Sequence, residues 1–397
     1  MNNSFFKNPC NQYLLLWSLY NLKGTLYVEG TIINQVLMLI LLLLSAKEML
    51  WYNRNKNSLP NHAFLFFDGM KLLLLLYVVY GLLIFITEGT TYMGKPTKDF
   101  LQAYLISFLP IYASYTHTIK GDLTVKNFQV WMIVFLIVGI CQFYYNERLA
   151  LIRLLESGKD AEEFTNNASY IVMALIPGML LFHNKKIVMY GGIAICTFYV
   201  VLGMKRGAII ISALILASIM YNHLKTAKAS QKIGALFIVF SGIYALSLYI
   251  NSLMSNSAYF NSRVDDTLEG DTSNRDVIYG RIWDIYIDQS DIFQALFGRG
   301  AMGTLKYGCY AHNDWLEILF DHGVLGILFF VYFWRCWYKT SLNRQYTQLS
   351  RLVIVLVLVM FGLKTFFSMS IGGMSIFATS VLGFALADGF TEDSESL

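Results

Sequence analysis

The chain has 397 residues, of which 56% are hydrophobic and only 14% charged, whereas an ordinary soluble domain carries about 25% charged residues. That balance excludes a water-soluble globular fold and predicts an all-α polytopic membrane protein. The net charge of +4 does not imply a nucleic-acid partner, because most Lys and Arg lie in short loops between apolar runs, where they orient helices.

A spanning helix needs about 20 apolar residues, and the hydropathy pattern predicts about twelve of them, at roughly 12–29, 31–50, 64–87, 100–118, 127–146, 168–183, 186–203, 207–223, 233–252, 312–336, 352–367 and 373–389. The first run is interrupted by Lys23 and lacks a small-residue cleavage site, so no cleavable signal peptide is expected. With both termini cytoplasmic, the inner loops hold Arg54 and Lys56, Lys120 and Lys126, Lys185 and Lys186, Lys225, Lys228 and Lys232, then Arg335, Lys339, Arg344 and Arg351. This obeys the positive-inside rule. The acid-rich segment 147–167 then falls outside, with Leu149, Ile152 and Leu155 placed to lie on the membrane surface. The expected organisation is nine spans in 1–252, an extracytoplasmic loop with a short amphipathic helix at 253–311, and three spans with a cytoplasmic tail in 312–397. The cysteines Cys10, Cys141, Cys196, Cys309 and Cys336 form no CxxC pair, so neither a disulfide frame nor a zinc site is expected.

Three stretches depart from a plain bundle. In "VVLGMKRGAIIIS" the pair Lys205 and Arg206 interrupts an apolar run from about 187 to 222, which as one helix would extend about 54 Å against a hydrocarbon core of about 30 Å. The chain must turn at the charges, on the outer side. Two cations there with no acid mark either a functional site or side chains snorkelling from a helix end. In the loop, "NRDVIYGRIWDIYIDQ" spaces Ile278, Ile282, Ile285 and Tyr286 for an amphipathic helix on the membrane surface, carrying Arg281 and Trp283. Arg263 and Arg275 are expected to form surface salt bridges, among five basic and eight acidic loop residues.

The third stretch, "HNDWLEILFDHGVLG", begins the tenth span. Asp314 and Glu317 have the spacing of an N-cap and its third residue, where carboxylates suit the helix dipole. His312 then falls at the membrane boundary, wet enough to titrate, beside amides that favour an anion. Asp321 and His322 are expected to face the protein interior, and Gly323 and Gly326 to admit a neighbouring helix. The other histidines, His62, His117, His183 and His223, fall near the opposite helix ends.

This His-Asn, nine residues, Gly-x-x-Gly pattern, His312 to Gly326, resembles the signature of the bacterial O-antigen ligase and polysaccharide-repeat polymerase superfamily. The "KRG" of Lys205 to Gly207, the Arg-x-Trp of "GRIWDIY" and the glycine-rich "LFGRGAMGT" look like further family elements, in the expected order over the second half of the chain. The resemblance implies a GT-C-like membrane glycosyltransferase of the bacterial cytoplasmic membrane, with its active site on the extracytoplasmic side. Its donor would be a glycan on undecaprenyl diphosphate, its acceptor a sugar hydroxyl, and a chain-length regulator an optional partner. Arg206 and Arg281 would bind the donor diphosphate, and His312, followed by Asn313, would orient or deprotonate the acceptor. Lys205 and Arg299 join them by position. Trp283 and Tyr286 would stack on sugars or anchor at the interface. Paired Arg forks suit a departing diphosphate, the loop contains no DxD, and neither metal nor cofactor is expected. The acidic loop favours a glycan acceptor, hence a polymerase, over a phosphorylated lipopolysaccharide core, the acceptor of a ligase. A transporter would be expected to show internal repeats, and none is visible.

Overall fold

The computed structural model describes residues 7–27, 31–156, 166–226, 248, 251 and 275–390. These residues are helical throughout, apart from loops and one two-residue hairpin, β1 (Thr91–Tyr92) with β2 (Lys95–Pro96). The helices are α1 (Pro9–Asn21), α2 (Ile32–Asn55), α3 (Phe64–Glu88), α4 (Lys98–Ile119), α5 (Val125–Glu156), α6 (Ser169–Met173), α7 (Lys186–Leu202), α8 (Arg206–Thr226), α9 (Arg275–Gln289), α10 (Ile292–Phe297), α11 (Asp314–Ser341), α12 (Gln348–Phe367) and α13 (Ile376–Leu386). Six stretches, built on α2, α3, α5, α8, α11 and α12, are long and apolar enough to cross a membrane. Backbone polar groups find no partners in lipid, so continuous helices are the form such runs take. Large apolar side chains such as Ile33, Leu43, Leu75 and Ile86 point outward, as a lipid-facing surface requires.

Several expected spans take other forms. The run at 12–29 is the 13-residue α1, begun by Asn8, whose side chain accepts from the Asn11 N–H, and ended at Leu22. It extends only about 20 Å and buries Cys10, Tyr13, Leu14 and Trp17. The fifth span does not stop near 146. It continues through Leu149 and Ile152 to Glu156 as one helix, so this part of the acid-rich segment extends α5 instead of starting a separate surface helix. At 168–183 the five-residue α6 gives way to a tight 3-10 turn, Ile176–Phe182, all of it buried. The ninth expected span, 233–252, lies outside the described residues except for 248 and 251. Arg263 lies outside them as well.

α4 runs through the centre, with residues 107–117 all buried. α13 presses on it so closely that a Cβ on Gly383 would stand 2.5 Å from the Ile111 carbonyl oxygen. The turn between α7 and α8 falls at the charges, as the length argument requires. It passes through Met204 (φ 50°) and docks on α6, where a Cβ on Gly203 or Gly207 would meet Ser169 Oγ at 2.0 Å or Tyr170 Oη at 2.3 Å.

The hairpin tip and the α11–α12 connection belong to opposite ends of α3, α4, α11 and α12. In a variant lacking native cysteines, Lys95→Cys will react with a membrane-impermeant maleimide in intact cells, and Arg344→Cys only after lysis. The reverse pattern would invert the orientation argued from the basic loops.

A cationic cavity at one end of the bundle

Helix ends converge on a cavity of about 680 Å³. The end of α1, the first half of α4, α6, the α7–α8 turn, the start of α9, the residue before the α11 cap, the end of α12 and the loop into α13 all contribute walls. Lys205, Arg275, Lys364 and His312 line it, and none of its described lining residues is an acid. Three cations in one partly enclosed space repel one another in reduced dielectric, so the arrangement favours an anionic occupant.

Two of these cations are tied to main chain. The Arg275 guanidinium donates to the Phe367 carbonyl at the end of α12. Lys364 is only 7% exposed; its Nζ donates to the Gly373 carbonyl at 3.3 Å and lies 5.0 Å from the centre of the Tyr170 ring. The Gly373 turn is itself set by Asp314, whose carboxylate accepts from the N–H groups of Ser370 (2.7 Å) and Ile371 (3.1 Å). His312 has a left-handed backbone (φ 54°), and its carbonyl accepts from the Tyr279 hydroxyl of α9 at 3.4 Å. The imidazole stays open to the cavity. Partial desolvation, then the charges of Arg275 and Lys205, hold its pKa below the usual histidine value. A neutral ring able to accept a proton results.

The carboxylates of α11 have a structural explanation. Asn313, not Asp314, caps the helix, its side-chain oxygen accepting from Trp315 N–H (3.0 Å) and Leu316 N–H (3.2 Å). Asp314, released from capping, organises the α12–α13 loop. Glu317 accepts from the Thr304 hydroxyl and the Ala311 N–H, each at 2.6 Å. Asp321 accepts from Met302 N–H (2.9 Å) and Gly303 N–H (3.0 Å). All three are buried and spend their lone pairs on loops, Asp314 on the α12–α13 loop that lines the cavity, Glu317 and Asp321 on the segment before α11.

α11 is broken at Gly323 (φ 65°, ψ −161°). A Cβ there would stand 2.5 Å from the Gly298 nitrogen and the Leu296 carbonyl, and one on Gly298 (φ 78°) 2.3 Å from the Asp321 carbonyl. Across this contact Arg299 N–H donates to Phe320 O (2.9 Å) and Gly300 N–H to Asp321 O (3.0 Å). Gly323 therefore admits the C-terminal end of α10 with its Gly298 cap, while Gly326 makes room for its own helix's His322 and Ile318. His322 is buried, with its ring against Tyr77, Tyr80 and Phe100.

Of the residues expected to form a site, the cavity brings together His312 and Lys205. Arg206 starts α8 immediately beside them but is not among the lining residues. Arg281 is exposed in a separate groove with Asp284, Asp288 and Tyr307. Trp283 is exposed, while Tyr286 is buried with Ile282, Ile285, Ala311 and Phe320, its hydroxyl donating to Ala295 O at 2.8 Å. That burial removes Tyr286 as a sugar-stacking surface. It also corrects the position of the amphipathic helix, because its regular apolar face packs on α11 and not on lipid. Arg299 is occupied as a loop rivet, donating to Tyr307 Oη (2.8 Å), Ser290 Oγ (3.3 Å) and Ile285 O (3.4 Å). Asn313 is occupied as the cap.

Arg275, expected in a surface salt bridge, is instead a cavity residue. Lys364 joins it without having been expected there, although the sequence does carry a signal: it is the only charged residue between Arg351 and Asp388, and a lone cation in an apolar span usually has a task. No protein-family model and no curated protein sequence matches the chain.

Proposed function

We propose that the chain is a metal-independent glycosyltransferase that polymerises undecaprenyl-diphosphate-linked oligosaccharide repeats into a surface polysaccharide. The reading places the chain in a bacterial cytoplasmic membrane with the cavity on its extracytoplasmic side. The observation that carries it is the cavity itself, with three cations and an open imidazole and no acid among its described lining residues.

In this reading Lys205, Arg275 and Lys364, with Arg206 beside them at the start of α8, receive the donor diphosphate. His312 orients the acceptor hydroxyl. The hydroxyl oxygen bonds to the anomeric carbon as the bond from that carbon to the diphosphate oxygen breaks. Undecaprenyl diphosphate leaves, its charge met by the cations, and the hydroxyl proton passes to His312. The loop 253–311, with five basic and eight acidic residues, supports a glycan acceptor over a phosphorylated one.

Purified protein in liposomes, supplied with the lipid-linked repeat unit and no ion gradient, will convert it into a ladder of longer lipid-linked glycans. A transporter would leave the unit unchanged in length. A ligase would also leave it unchanged, but would transfer it when lipid A core is added.

A further inference from the structure

α9 presents two chemically distinct edges. Arg275 and Ile278, at its start, reach the cavity. Further along, Gly280, Arg281, Asp284, Asp288 and Gln289 line a second, open groove of about 640 Å³, to which Tyr307 also contributes. Their spacing of three to four residues puts them on one stripe of the helix, and the groove follows α9 for roughly 18 Å from Val277 to Gln289. Tyr307 is fixed there by the Arg299 guanidinium at 2.8 Å. Gly280 leaves the helix surface bare, with nothing within 4 Å of where its Cβ would stand. Among the described residues, the side chains of Arg281, Asp284, Asp288 and Gln289 make no hydrogen bond or ion pair.

This chemistry is the opposite of the cavity's. One guanidinium against two carboxylates gives the stripe a formal charge of −1, which opposes a diphosphate. Donors on Arg281 and Gln289 are interleaved with acceptors on Asp284, Asp288 and Gln289, the pattern required by a ligand whose hydroxyls both give and take hydrogen bonds. A fixed aromatic ring and a bare glycine suit the apolar face of a sugar ring. Tyr279, two residues along α9 from the Val277 end of the groove, donates to the carbonyl of His312, so that end of the helix is the one beside His312.

We infer that this groove holds the sugar units of the acceptor glycan and delivers its terminal hydroxyl beside His312, an assignment that rests on the transferase reading. Arg281 then belongs to the acceptor and not to the donor diphosphate. The probe is the free oligosaccharide released by mild acid from the lipid-linked repeat unit, titrated by saturation-transfer NMR into purified full-length protein. The double variant Arg281→Gln, Asp288→Asn changes exposed side chains with little change of shape. It will weaken binding about tenfold, as expected for losing a hydrogen bond to a charged group. In the liposome assay, with the same free oligosaccharide added as a second acceptor, its KM will rise by the same factor, while the KM for the lipid-linked donor holds. Equal affinity in wild type and variant, or no binding to wild type, overturns the inference. So does a loss that falls on the donor KM, which would return Arg281 to the diphosphate. Binding that the variant weakens, in a wild-type protein that makes no polymer, keeps the glycan groove and removes the transferase.

Discussion

Lys364→Met will lower turnover of the lipid-linked donor by about 10² to 10³-fold, the range for removing one preorganised charge-stabilising group. Protein will still accumulate in the membrane. Methionine has nearly the volume of the lysine stem, and the substitution removes one 3.3 Å hydrogen bond to Gly373, in a turn already held twice by Asp314. If Lys364→Met retains full turnover, the cavity is not where diphosphate charge is met. The pH profile gives an independent check on His312. As the base it must be neutral, and its lowered pKa means that activity falls only as pH drops below the usual histidine value of about 6.5. Arg275→Gln removes one of the charges that disfavour the imidazolium. The His312 pKa then rises, and the acid limb of kcat/KM moves to higher pH. A limb that stays in place, or moves lower, would show that another group titrates.

Gly298→Ala and Gly323→Ala will each destabilise the protein by about 2–5 kcal/mol, summing the cost of a left-handed L-residue and of overpacking. Both positions have positive φ, and their Cβ atoms would stand 2.3–2.5 Å from facing backbone, which cannot move aside as a side chain can. Gly94→Ala also has positive φ (75°) but meets nothing within 4 Å, so it isolates the backbone cost of about 1–2 kcal/mol. Melting measured by size-exclusion fluorescence after heating will rank Gly94→Ala well above the other two. Equal melting of all three would mean that the loop and α11 do not meet as described.

Six of the twelve expected spans, those of α2, α3, α5, α8, α11 and α12, were legible because lipid admits few backbone solutions, and the turn at Lys205 followed from length alone. Less was legible where two residue types compete for one task. Asn313 and Asp314 are equally good caps, and only the fold shows that Asn313 takes the cap and frees Asp314 for Ser370 and Ile371. The periodicity of Ile282, Ile285 and Tyr286 correctly marked an amphipathic helix, yet period does not say whether its apolar face meets lipid or protein. Arg275 and Arg281 stand six residues apart on α9, on different edges. Nothing local distinguishes them until the end of α12 is placed against the first. Lys364 was readable as an isolated cation, but its partners Tyr170 and Gly373 come from other segments of the chain.

The break at Gly323 bears on how this helix enters the bilayer. An uninterrupted span completes its own hydrogen bonds and can partition into lipid as a finished unit. Here the carbonyls of Phe320 and Asp321 are completed by the amides of Arg299 and Gly300, and leaving them bare in hydrocarbon would cost several kcal/mol. The segment that supplies those amides is synthesised first. By the time residues 314–322 leave the ribosome, the glycine-rich loop has already been made and can serve as a docking template for them. A circular permutant that places residues 296–303 after α11 would offer that helix to the bilayer before the amides of Arg299 and Gly300 exist to pair with it, and the expected result is a smaller inserted fraction than for the native order.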